Sequence, residues 1–328
     1  MAFAHQGVRQ PMPQTHHIPA SGKTCHWGVF SADIPAVLEI DSGDTVVIEA
    51  ISGAPAVLPG PPFTVPPAYA DVHAHVKPPF GSGHILTGPV HVRGAEPGDA
   101  LEVRVKDIKI GCDWGWNYIK PLAGALYEDF HEYKLIHIAL DGDAMTAKLP
   151  WGVELPLAPF FGVMGTAPPA EWGMQRSIEP RAFGGNLDCK ELGVGASITF
   201  PVFVEGANFS AGDGHARQGD GEVNVTAIEA ALTGTFEFHL HKKRNLALPI
   251  AETDTHYITL GLDPDLDQAA KQALRGMIDL GTKKTNLSRE EVYALLSITG
   301  DLRVSQVVNG VKGAHVMLAK DHLHGSTS

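Results

Sequence analysis

The stretch Val37-Leu38-Glu39-Ile40-Asp41-Ser42-Gly43-Asp44-Thr45-Val46-Val47-Ile48-Glu49-Ala50 sets the style of the chain. Two short apolar runs flank a Ser42-Gly43 turn, which reads as a β-hairpin. The same style recurs outward from it. The string HILTGPVHVRG, residues 84–94, reads as another short strand pair, and Glu96-Pro97-Gly98-Asp99 as a turn. Leu101–Val105 alternates apolar and charged residues, as a half-buried strand does. Trp114-Gly115-Trp116-Asn117 then begins a loop with little periodicity. Further on, Ser197–Val204 and Glu222–Leu232 read as strands. In residues 235–242, Phe236, Phe238 and Leu240 face one way, while Glu237, His239 and His241 face the other as a solvated strand face. The 36 glycines and 24 prolines supply the turns that many short strands need. The expected fold class is mainly β.

The helical signals sit near the C-terminus. Asp263 and Pro264 suit a cap and first position. Leu266, Ala270, Ala273, Met277 and Leu280 then form one stripe, with Gly281 as its end. Ser288 and Glu291 make a capping box for a second helix bearing Val292, Leu295 and Leu296. The expected organisation is an irregular arm over 1–24, β-rich parts over 25–130 and 131–260, the latter carrying the site, and an α/β part over 261–328. With no repeat and no low-complexity linker, these parts form one catalytic unit.

Charge and cysteine content narrow the partners. A net charge of −12 opposes nucleic acid and anionic membrane surfaces. No apolar run approaches ~18 residues, and Arg9 is not followed by the apolar core of a signal peptide. Three cysteines, Cys25, Cys112 and Cys189, fit a reducing compartment without disulfides. The expectation is a soluble, cytoplasmic protein.

The chemistry concentrates in residues 184–195 (GGNLDCKELGVG) and 205–223 (EGANFSAGDGHARQGDGEV). Asp213, His215, Asp220 and Glu222 fall within ten positions, separated by glycines that permit close backbone approach. In extended chain Asp213 and His215 share a face, as do Asp220 and Glu222, and a turn through 217–219 would join the pairs. Such a cluster suits Zn²⁺ with an open water position. It equally suits an acidic turn with a surface histidine. Ser21-Gly22-Lys23-Thr24 ends like a phosphate-binding loop, but the first glycine would have to fall at His17. His73-Ala74-His75 is a common pair without the β-α alternation of an amidohydrolase barrel. No Gly-x-Ser-x-Gly elbow and no paired-cysteine zinc motif occur.

From about Cys25 to Leu318 the chain resembles the acetamidase/formamidase family, and more closely its γ-lactamase-like branch. The strings that carry the resemblance include VLEIDSGDTVVIEAISG, DWGWNYIKPLAG, FFGVMGTAPP, SIEPRAFGGNLDCKEL, FVEGANFSAGDGHARQGDGEV and LSREEVYALLSITGDLRVSQVVNG. Asn208 departs from the leucine usual before Phe209-Ser210. The resemblance implies hydrolysis of small linear amides or lactams, a β-rich fold with a sandwich-like core, and C-terminal helices packed on it. It also implies a homo-oligomer, with a dimer favoured, and a divalent metal of zinc type, with Ca²⁺ as a conceivable second ion. By motif, it adds Asn186, Asp188 and His84 to the site.

Amide hydrolysis needs a nucleophile, a stabilised oxyanion and a proton for nitrogen. Zinc serves the first two and a carboxylate the third. The expected ligands are His84, Asp188 and His215, with Asp213 as ligand or orienter. Glu222 is the expected acid/base, Asp220 its reserve, and Asn186 an oxyanion donor. His26, Trp27, Trp114 and Trp116 are expected to shape the substrate pocket, although the same tryptophans suit a core. A metal-free amidase using Cys189 and a non-catalytic oligomer that binds small polar ligands are the competing readings.

Overall fold

A computed structural model describes residues 12–323. The first half of the expected arm, Arg9 included, and residues 324–328 lie outside the described residues. The rest of the arm is not irregular, because Thr15–Ile18 is a strand parallel to Thr45–Ile48 that seats Ile18 in the core. No helix among the described residues is long and apolar enough to cross a membrane.

The molecule is mainly β, and among the described residues eighteen strands are hydrogen-bonded into one continuous network, with a separate pair. Two long strands organise it, Ala100–Ile119 and Ile228–His241. They pair antiparallel with each other from Glu229↔Trp116 to His241↔Ala100. Phe236 and Phe238 turn into the main apolar core, as the alternation predicts. On the opposite face His239 and His241 pair with Glu237 and Glu102 at 2.5 and 2.7 Å. The core draws on residues from Ile18 to Met317.

Local patterns located the strands, but long-range pairing decided their partners. Leu38–Ile40 and Thr45–Ala50 are strands, yet they do not form a hairpin. The first runs parallel to Ile85–Val92, while the second pairs with Ile228–His241. The corner between them is held by Asp44, whose carboxylate accepts the Gln14 and Asp41 amides, and by Gly43 N–H donating to Phe238 O. Residues 85–92 form one strand and not a pair. Trp114–Asn117 is strand and not loop, because Lys134–Asp141 pairs along it on one side and Glu229–Ala230 on the other. Glu222 lies in a turn, and the strand expected from it begins at Ile228.

The C-terminal helices Leu266–Lys284 and Arg289–Thr299 pack on the final strands through Ala273, Met277, Val292 and Leu296. Ser288 and Glu291 form the capping box, a feature that contributes about 1 kcal/mol. The first helix starts two residues later than its sequence suggests. Asp263 remains in a strand opposite Lys312, so Asp265 caps by accepting the Asp267 and Gln268 amides. Gly281 does not end the helix. A Cβ there would come within 2.8 Å of Val292, so this glycine allows the two helices to touch.

Candidate metal and active site

The Phe209–Arg217 strand lies between Phe160–Gly165 and Ile85–Val92. Its register sets His215 opposite Phe160 on one side and Glu229 on the other. Gly184–Asn186 pairs with Phe160–Gly165 and then turns, with the Leu187 and Asp188 amides donating to Gly162 O. The Glu222 turn is pinned by Gly221, whose N–H donates to Val304 O and whose carbonyl accepts from Val307. These constraints bring Asp188, Asp213, His215, Glu222 and Glu229 together, all of them buried.

Three of the four acids, Asp188, Asp213 and Glu222, have left-handed φ values of 47°, 56° and 44°. For non-glycine residues this conformation costs about 1–3 kcal/mol each and accumulates at functional sites. The flanking Gly212 and Gly214 do not adopt it. They instead let neighbouring strands close in, since a Cβ on either would meet Ile85 O at 2.2 Å or Ala230 O at 2.5 Å.

His215 is at the centre. Gln218 Nε2 donates to the carbonyls of Asp188 (2.9 Å) and Ser305 (3.2 Å), so its Oε1 faces His215 Nδ1 at 2.9 Å. Nδ1 therefore carries a proton. Nε2 is buried without a hydrogen-bond partner. It faces Glu229 Oε1 at 3.2 Å, Asp213 Oδ2 at 3.3 Å and Glu222 Oε1 at 3.9 Å. A lone pair pointing at three carboxylates is repulsive, so the geometry calls for a positive charge at Nε2, either a proton or a cation.

The titration behaviour follows from burial and proximity. Burial opposes charge on His215, but Glu229 and Asp213 raise its pKa well above the usual imidazole range. Burial drives Asp188 up to about 7, against the pull of His215. Burial, reinforced by the neighbouring acids, also raises Glu222 and Glu229. Asp213 goes the other way: burial is outweighed by His84 and His215, which hold it below the ordinary carboxylate range.

Two sets of donor atoms, Asp188/His215/Glu222 and Asp213/His215/Glu229, each lie within 4.8 Å of one another. A Cβ on Gly162 would fall 2.6–2.8 Å from Asp213, Asp188 and His215, so the glycine leaves room directly over the cluster. Buried carboxylates, an imidazole nitrogen directed at them and that space could hold a metal ion.

The other expected residues distribute around this centre. His84 lies at its partly exposed edge, with Nε2 3.8 Å from Asp213 Oδ2 and Nδ1 3.0 Å from Ser177 Oγ. The hydrogen-bond network assigns the Asn186 amide orientation: its nitrogen then donates to both oxygens of Asp188 and to Asp213 Oδ2, at 3.1–3.3 Å, while its oxygen accepts from Asn309. Asn309 also donates to Asp188 at 2.6 Å. Asp220 stands outside the cluster, ion-paired with Lys190 at 2.7 Å. His26 shares a cross-strand row with Leu86, Gly212, Val163 and Asn186, but four strands away from Asn186. Trp27, Trp114 and Trp116 belong to one apolar cluster with Tyr69. Of these, Trp116 backs the site: it donates to Ser52 O, and Ser52 Oγ donates to Glu229.

Glu229, Gln218, Asn309 and Gly162 were not anticipated from sequence. Only Glu229 had a signal, as a lone acid in the apolar run Ile228–Leu232.

The family model for the acetamidase/formamidase family matches residues 15–173 and 169–318. An acetamidase of Mycolicibacterium smegmatis is 31% identical over 217 residues, covering 48% of this chain and 53% of that protein. The chain thus spans about half the length of the curated relatives it matches. Among solved structures, an acetamidase from Bacillus halodurans superposes with a TM-score of 0.82 at 33% identity, covering 95% of this chain and all of that one. A γ-lactamase from Delftia acidovorans shares the fold, with a TM-score of 0.60 at 24% identity over 92% of this chain and 89% of its own.

Proposed function

The chain belongs to the acetamidase/formamidase family, and from that premise we propose that it hydrolyses the C–N bond of a small carboxamide. The substrate is a linear amide of formamide or acetamide type, or a small lactam. The products are a carboxylate with ammonia, or an amino acid. The observation that carries this reading is the bare His215 Nε2 facing three buried carboxylates.

Asp188, Asp213, His215 and Glu229 are the side chains that would hold a divalent cation of zinc type, with His84 completing the donor set on the open side. Such an ion, when bound, supplies Lewis acidity to the amide carbonyl and lowers the pKa of a water to about 7. Glu222 is the acid/base. It is the acid farthest from Nε2 of the three, and its raised pKa suits a group that takes a proton from water and delivers it to the departing nitrogen. Asp220, committed to Lys190, is the reserve. Asn186 orients Asp188 and Asp213, because its N–H groups are already directed at them.

Cys189 is poorly suited to act as the nucleophile. Burial, with Glu191 beside it, raises its thiol well above the usual range, whereas catalysis by cysteine requires thiolate. The same reading makes the protein a cytoplasmic homo-oligomer, a dimer in its simplest form, whose partner is a small molecule and not nucleic acid or membrane.

The test combines elemental analysis of purified protein with a product screen over formamide, acetamide and small lactams. Bound zinc with turnover of at least one substrate is expected, and Glu222→Gln should lower that turnover about 10²-fold or more. Metal-replete protein that only binds amides, without product, would overturn the reading. Near-normal Glu222→Gln activity would remove Glu222 from its role.

A further inference from the structure

A second group of donors lies outside the Asp213 centre. It joins the turn after Asn186 to the last two strands, Asp301–Gln306 and Lys312–Ala319. Cys189 is buried and the Glu191 side chain, two positions on, is 8% exposed, while Lys190 between them reaches out to Asp220. His315 is fully buried and comes from the final strand, directly opposite Arg303. Cys189, Glu191 and His315 each place one donor atom within 4.8 Å of the others.

The distances match a small tetrahedral ion. Zinc bonds of about 2.0–2.1 Å to nitrogen and oxygen and about 2.3 Å to sulfur imply ligand–ligand edges of roughly 3.3 Å for N···O and roughly 3.5 Å for S···O. His315 Nε2 and Glu191 Oε2 are 3.1 Å apart, and Cys189 Sγ and Glu191 Oε2 are 3.5 Å apart. His315 Nε2 has no hydrogen-bond partner, even though it is buried and points into this group.

The surroundings orient the donors as the partners of metal ligands do. Ser305 Oγ holds the other imidazole nitrogen, Nδ1, at 2.8 Å. Arg303 Nη1 takes the other carboxylate oxygen, Oε1, at 3.1 Å, leaving Oε2 to face His315 and Cys189. A thiol, an imidazole and one carboxylate select a borderline cation and not Ca²⁺ or Mg²⁺, which require oxygen ligands.

We propose that Cys189, Glu191 and His315 form a second metal site, of zinc class and structural in role, that ties the turn bearing Asn186 and Asp188 to the C-terminal strands. Ser305 extends the link, since its carbonyl accepts from Gln218, the residue that holds His215.

Cobalt provides a readout that separates this site from the Asp213 centre, which contains no sulfur, and Cys189→Ser separates it from the other free thiols, Cys25 and Cys112. Full-length protein is stripped with chelator, reloaded with Co²⁺ and examined by absorption. A thiolate-to-cobalt charge-transfer band is expected in the wild type and in Asp213→Asn, and it should be absent in Cys189→Ser. Zinc content by elemental analysis should fall by about one equivalent per chain in Cys189→Ser. If that variant does not fold, Glu191→Gln, which keeps the carboxylate's shape, should lose the same equivalent. Lack of the band in cobalt-saturated wild type, or its persistence in Cys189→Ser, overturns the proposal and leaves His315–Glu191 a plain ion pair. The band reports Cys189 alone, so its outcome is independent of whether the protein hydrolyses amides.

Discussion

A Cβ placed on Gly162 would lie 2.6 Å from Asp213 Oδ2, closer than real Cβ atoms approach any neighbour. The same carbon would meet Asp188 Oδ1 at 2.7 Å and His215 Cε1 at 2.8 Å. A single methyl group would therefore press on three members of the site at once. Gly162 has no positive φ, so the substitution tests space and not backbone strain. Gly162→Ala is expected to cost about 1–3 kcal/mol of stability, as overpacking does, and to lower turnover about 10²-fold through misplacement of the donors. Thermal melting and steady-state rates check this. Wild-type turnover in the alanine variant would show that the space over the cluster has no role.

Gln218 gives a second test because it holds both the His215 imidazole and the Asp188 backbone. Its two N–H groups are engaged by carbonyls, which leaves Oε1 to fix the imidazole tautomer. Gln218→Ala should weaken zinc binding about 10- to 100-fold, the usual size of such effects. Gln218→Glu retains an acceptor toward Nδ1 and should recover part of the affinity. Equal zinc affinity in the wild type and Gln218→Ala, measured by competition with a chromophoric chelator, would show that the tautomer is set elsewhere.

The contrast between what sequence revealed and what it hid is one of range. The Ser288–Glu291 capping box is a four-residue event and appears where it reads. The facing of Phe236 and Phe238 depends on alternation alone and also holds. The Val37–Ala50 segment shows strands just as clearly, but its partners lie tens of residues away, and no local signal distinguishes them from a hairpin. The same holds within the site. Asp213, His215 and Glu222 are close in sequence, so their spacing suggested a cluster. Glu229 enters through strand register, Gly162 through a facing strand and Asn309 from a distant loop. The same spacing places Asp220 beside them in sequence. The left-handed φ of Glu222 turns that side chain inward, while Asp220 turns out to Lys190.

His26 predicts an acid limb in stability. Burial lowers its pKa to about 4, only partly offset by a contact to the Val29 backbone. An unfolded chain would hold that imidazole near 6.5. Between these values the unfolded state binds more protons, so stability is retained above about 6.5 and lost as pH falls toward 4. The loss from this group is at most about 3 kcal/mol. His26→Gln, which can still meet Ser210, should flatten the limb in melts taken from pH 7 to 4. An unchanged slope would assign the limb to other groups.

Glu229 should separate stability from function. Its Oε1 accepts the Ala227 amide at 3.0 Å and faces His215, and its Oε2 accepts from Ser52 at 3.1 Å. Glu229→Gln keeps the shape and one acceptor oxygen while removing a negative charge from a buried group of four acids. In metal-stripped protein that charge is a liability, because like charges in a dry site repel strongly. The glutamine variant should therefore melt at or above the wild-type temperature after chelation. The same charge helps to hold a cation, so zinc affinity and turnover should both fall, by tenfold or more if the charge contributes about 1.4 kcal/mol to binding. Glu229→Ala should lose stability as well, about 1–3 kcal/mol, because the Ala227 amide and Ser52 hydroxyl are left without their buried acceptor. A glutamine variant that melts lower yet turns over normally would make Glu229 a structural anchor and exclude it from the donor set.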